Sequence, residues 1–138
     1  IESGREAPRR YSDDEIIDKA IECIKHAGFV RTMLMPRFMQ VLIETNGEER
    51  NLFINAGIAA DDMDALREFA AQGYGADRYI LVGPKGRCEL YDAMLRRTFG
   101  DDLAITHIED KKQIAELTVQ GAVAVAAKIL TGEDEKHV

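Results

Sequence analysis

At 138 residues the chain has the length of one domain, and a domain of that size buries roughly 68% of its unfolded surface. With 46% hydrophobic and 31% charged residues it is neither a disordered segment nor a low-complexity tract. The formal net charge of −7 argues against a domain whose main task is gripping phosphate backbones. No apolar run approaches the roughly 20 residues that cross a bilayer, so no membrane partner is expected.

The opening, Ile1 to Tyr11, carries Gly4, Pro8 and several charges without a period and reads as a linker or mobile arm. Its start, Ile1-Glu2-Ser3 without Met, is that of an excised domain or a processed chain. One domain is expected over 12–131. Ser12 with Glu15 has capping-box spacing, Tyr11 and Ile16 suit a hydrophobic staple, and Ile16, Ile17, Ala20, Ile21 and Ile24 keep helical spacing as far as Gly28. Phe29 to Pro36 is a short apolar run ended by proline and reads as a strand. FMQVLIETNGEERNLFINAG, 38–57, then reads as a hairpin of two strands turning at Asn46-Gly47.

Asp61 and Asp62 suit a helix N-terminus, with Met63, Leu66, Phe69 and Ala70 continuing one face to Gly73. DRYILVG, 77–83, is a continuous apolar strand of the kind buried on both faces of a parallel sheet. A helix with Leu90, Tyr91, Met94 and Leu95 on one side follows, then a strand at Leu103 to Asp110 and a helix from Ile114 to Leu130. Residues 132–138 read as a frayed tail. The order α-β-β-β-α-β-α-β-α predicts an α/β domain with a mixed five-stranded sheet and helices on both faces.

This order resembles the restriction-endonuclease-like, or PD-(D/E)xK, family, and most of all its Mrr and Holliday-junction-resolvase branch. The likeness runs over most of Ser12 to Leu117 and includes the Gly28-Phe29 step, the hairpin, DRYILVG and ITHIEDKKQIAEL. It implies a metal-dependent nuclease fold, but the motif is missing. Met39 and Gln40 stand where the family keeps an aspartate, and Ile54, Asn55 and Ala56 stand where it keeps acid-x-lysine. Glu44 lies nearby, while Glu48 and Glu49 belong to the turn and read as solvated. An amide and a thioether cannot hold Mg²⁺ as carboxylates do, so neither nuclease chemistry nor a cofactor is expected. The second half, ILVGPKGRCELYDAMLRRTFGD with VQGAVAVAAKIL, also resembles the closing segment of the actin and heat-shock-chaperone ATPase lobe, with Pro84 in place of the second turn glycine.

Gly83, Lys85, Gly86, Arg87 and Cys88 leave a strand and enter a helix, where free N–H groups can receive a phosphate; the plainer reading is a simple strand-to-helix turn. Cys88 in the first helical turn beside Lys85 and Arg87 invites a lowered thiol pKa, against a half-buried, inert cysteine. Cys23 reads as packing. The two cysteines belong to no C-x-x-C pair, so reduced thiols in a cytoplasmic setting are expected. His26, His107 and His137 have no metal-ligand spacing, and His107 reads as a hydrogen-bonded structural residue.

Met33, Met35 and Met39 suit either packing or an adaptable partner surface. Gly121, Ala122 and Val125 lie in a helix apolar on almost every side, which implies burial against a sheet or a second copy of the chain. Arg5, Arg9, Arg10 and Arg37 form a local basic set open to nucleic acid. The sequence therefore favours a non-catalytic interaction module, binding protein or itself. A nucleotide- or phosphate-binding domain using 83–88 stands second, and a nucleic-acid-binding domain third.

Overall fold

The computed structural model describes residues 7–131. Helix α1 spans Asp13–Ala27, α2 Phe29–Leu42 and α3 Gly47–Ala71; strand β1 (Arg78–Val82), helix α4 (Lys85–Phe99), strand β2 (Ala104–Ile108) and helix α5 (Lys111–Thr131) follow. The expected tail, 132–138, and the first six residues of the arm lie outside the described residues.

The first helix forms as its sequence dictates. Ser12 Oγ accepts from the Glu15 amide while the Glu15 carboxylate accepts from the Ser12 amide, and Asp13, Asp14 and Glu15 place acids at the positive helix end. Gly28 closes the helix at φ 79°, a left-handed value that glycine adopts without penalty, and the chain turns directly into α2.

The expected five-stranded mixed sheet is not formed: the sheet has two strands, β1 and β2, paired in parallel with Arg78 opposite Ala104 and Val82 opposite Ile108. The three strands expected between Phe29 and Gly57 are helical. Phe29 to Pro36 is the front of α2, which runs through Pro36, and the supposed hairpin is the end of α2, a short turn and the first part of α3. Asn46-Gly47 is not a hairpin turn. Asn46 is the N-cap of α3, its Oδ1 accepting from the Glu49 amide at 2.9 Å while the Glu49 carboxylate accepts from the Asn46 amide at 2.8 Å. Asp61 and Asp62 fall inside α3 rather than at its start.

The physical reason is packing. Glu49, Phe53, Ala56, Ala60 and Met63 recur at helical spacing and are all buried, and Ala20 of α1 lies buried in the same core as Ala56 and Ala59. Small side chains let α1 and α3 lie close. Gly57 does the same for α2, since a Cβ there would meet Met33 Cε at 2.8 Å and Thr32 Cγ2 at 3.3 Å. Burying two apolar helix faces on α3 overrides the β preference of the Val, Ile and Thr residues in this stretch.

Beyond α3 the expected order holds. Helix α4 packs on α3 with one side and on the strands with the other, burying Leu90, Met94 and Leu95, and Tyr79 stacks on Phe99 with ring centroids 6.2 Å apart. Tyr79, Leu81 and Ile105 face this core. β1 was expected to be buried on both faces, yet Ile80 and Val82, on the opposite face, are 60% and 52% exposed. Helix α5, expected to be buried against a sheet or a second copy of the chain, has no buried residue within this chain.

Candidate functional site

The turn at Gly83 gathers part of the expected ligand set. The Gly83 amide donates to the Ile108 carbonyl, Pro84 caps α4, and the Pro84 carbonyl accepts from the amides of Arg87 and Cys88. Lys85, Gly86 and Arg87 are exposed around this end of the helix. Lys85 stands 3.7 Å from Glu89, and Arg87 Nη2 donates to Asn55 Oδ1 at 3.4 Å. A cleft of about 490 Å³ opens beside Arg87, lined also by Glu48, Asn51 and Asn55. Cys88 turns inward instead: it is buried, its Sγ donates to the Gly83 carbonyl at 3.5 Å, and burial, with Glu109 and Glu89, pushes its thiol pKa up. A raised pKa removes the thiolate that nucleophilic or redox chemistry needs. Cys23 is also held above its ordinary value, by burial and then Glu22.

The arginines considered for nucleic acid do not form one free cluster. Arg9 pairs with Asp13, Arg10 pairs with Glu44 at 2.7 Å, and Arg37 stands exposed on α2. Arg5 lies outside the described residues.

Glu49, expected to be solvated, is fully buried and ties three segments together. Its Oε1 accepts from the backbone amides of Arg10 and Tyr11, both at 2.8 Å, and its Oε2 from that of Asn46. Burial raises its pKa, but these amide donors and the charge of Arg9 outweigh that effect and hold it below the ordinary value. His107 forms a second tie, with Nε2 2.8 Å from Asp92 and Nδ1 3.2 Å from Glu109, while Asp92 also accepts from Arg96 at 2.6 Å. The Asp92 contact raises the His107 pKa, burial opposes it and Glu109 adds to it. The network fastens the end of β2 to α4. Among the described residues no group of three or more His, Cys, Asp or Glu side chains is placed to hold a metal ion.

What the structure does present is apolar surface. On α2, Val30, Leu34, Phe38, Val41 and Leu42 share the face turned away from α3, with Leu34 62% and Phe38 54% exposed. Of the expected methionine patch only Met35 is exposed; Met33 lies against Gly57, and Met39 packs on the core. The β-branched residues and Pro36 that suggest strands here obscure this face, although Val30, Leu34 and Phe38 keep the i, i+4, i+8 spacing of a helix. Gly121, Ala122 and Val125 are exposed on α5, as are Val119, Val123 and Leu130.

The expectation that no segment is long and apolar enough to cross a membrane is also corrected. Helix α5, 21 residues with a window of mean hydropathy 1.4, meets that criterion by length and composition. No family model, curated protein or solved structure matches the chain.

Proposed function

We propose that this chain is a non-catalytic interaction module that binds another polypeptide, or a second copy of itself, through the outer face of α2 and through α5. One observation carries the reading: the outer face of α2 and α5 along its length expose large apolar side chains, among them Val30, Leu34, Phe38, Val119, Val123 and Leu130. Contiguous apolar patches of this kind on a folded domain mark partner surfaces. Tyr, Phe, Met and Arg are enriched at the centres of such interfaces, and the α2 face combines Phe38 and Met35 with Arg31 and Arg37.

A photo-crosslinking amino acid placed at Phe38 and, separately, at Val123 tests this in cells that naturally make the protein. The expected result is a reproducible crosslinked polypeptide at one or both positions, identified by mass spectrometry and confirmed by direct binding of purified components. Leu34→Asp should abolish the product formed at Phe38. Crosslinking no greater than that from an exposed polar position such as Lys19, at both sites, would overturn the reading.

A further inference from the structure

We propose that α5 is exchanged between two copies of this chain, each α5 covering the outer face of the other copy's β1–β2 sheet. The proposal rests on the interaction reading above and names the partner of one of its surfaces. Parallel strands occur almost always with both sheet faces covered. Here the inner face meets α4 and the core, while the outer face shows Ile80, Val82, Ala104 and Thr106 to solvent. Among the described residues there is thus a sheet with one face uncovered by any helix and, two residues beyond β2, a helix with no buried residue.

The strip is wide enough for one helix and spans about half the length of α5. A two-stranded strip with strands about 4.8 Å apart and five residues long, about 17 Å, offers room for a single helix about 10 Å across. Helix α5 presents two apolar stripes on opposite sides. Val119, Val123, Ala126 and Leu130 follow i, i+4, i+7, i+11 spacing, as do Ile114, Thr118, Gly121 and Val125. One stripe serves the sheet. The other, with Gly121 allowing close approach, serves the symmetry-related α5, because at about 32 Å the helix outruns the strip it covers. Because the exchange is two-fold, each copy contributes both its α5 stripes and its outer sheet face to the contact.

Charge agrees with the pairing. Arg78 is the charged residue on the outer sheet face, and Glu116 stands at the start of the Val119–Val123 stripe. A lipid bilayer fits less well, since Glu116 and Lys128 fall inside α5 and the outer sheet face would remain uncovered.

Sedimentation equilibrium of the purified chain from 1 to 100 µM decides the matter. The expected result is a species of twice the 15.4 kDa chain mass. Ile80→Asp and Val123→Asp, both at positions exposed within one copy, should each raise the dimer Kd by roughly 100-fold or more, through burial of an unpaired charge. Should either variant lose helical circular dichroism, chains carrying Ile80→Cys and Val123→Cys are mixed under mild oxidation. A disulfide-linked heterodimer that forms only on mixing supports the exchange, and its absence overturns it. A wild-type chain that stays monomeric at 100 µM, or that floats as a monomer with phosphatidylcholine–phosphatidylglycerol vesicles, also overturns the exchange. The α2 reading is then still judged by its own crosslinks. A dimer that resists both Asp variants but dissociates with Leu34→Asp would overturn the exchange and uphold the interaction reading.

Discussion

Removing the Glu49 carboxylate should loosen the molecule at one identifiable point. In Glu49→Ala the Asn46 amide loses its half of the capping box, a change that costs about 1 kcal/mol in comparable helix caps. The amides of Arg10 and Tyr11 lose charge-assisted bonds that are worth about 1.5–3 kcal/mol each when buried. Because Arg10 is exposed and Tyr11 half-buried, water replaces part of that, and about 1 kcal/mol apiece is the reasonable share. The total is about 3 kcal/mol, or roughly 10 °C in thermal midpoint for a chain of this size.

Glu49→Gln keeps one acceptor oxygen and should lose about half as much. The sign with pH follows from the lowered pKa of Glu49. Its contribution is fully present above the ordinary carboxylate value of 4.5 and is lost as pH falls through the lower folded value, so the wild type and Glu49→Gln converge on acidification. Thermal melting followed by circular dichroism, with hydrogen exchange at the Arg10 and Tyr11 amides, measures each part. A midpoint within about 2 °C of wild type for Glu49→Ala, or unprotected Tyr11 exchange in the wild type, would refute the reasoning.

His107 has the opposite sign: its raised pKa supplies stability that is fully present below the ordinary 6.5 and is lost as pH rises through the folded value. The midpoint should therefore fall from pH 6 to pH 8.5 by an amount that His107→Asn removes, and an unchanged slope in that variant would dismiss the tie. Neither Cys23 nor Cys88 should react with Ellman's reagent at the rate of a free thiol at pH 8, and both should react on unfolding; rapid reaction of Cys88 would restore it as a nucleophile. Leu95→Ala, at a side chain 1% exposed, should cost about 2–5 kcal/mol in chemical denaturation, whereas Leu34→Ala should change the stability of the free chain by no more than about 0.5 kcal/mol.

The parts of the fold legible in the sequence are those where local signals and packing agree. Ser12 with Glu15 marked the start of α1, Gly28 and Gly100 marked helix ends, and the runs at 78–82 and 104–108 formed the parallel pair that their separation by a helix implied. The errors have a common origin. Val30, Thr32, Val41, Ile43 and Ile54 are β-branched, Pro36 is an ordinary helix breaker, and Asn46-Gly47 is a familiar hairpin turn. Each signal is real but local. Glu49 three residues after Asn46 completed a competing capping box, and the spacing from Glu49 through Phe53, Ala56 and Ala60 to Met63 favoured a single long helix. Of the candidate ligand set, the sequence brings Lys85, Gly86 and Arg87 to one helix end, and its plainer reading of Cys88 as a half-buried, inert thiol is the one nearer to the buried Cys88 of the structure.

The remaining disagreement, over α5 and the outer face of β1, has a different cause. A run such as GAVAVAA is composed for burial, and sequence pattern does not say whether the covering surface comes from the same chain. The centre of an interface is apolar and closely packed, much like a core cut in half. A segment that reads as core and is found exposed therefore has the composition of such an interface centre. Both α5 and the Ile80–Val82 face meet that description. So does α2 in its own way, because its runs of Val, Leu and Phe look like strands of a core while its outer face has no cover among the described residues.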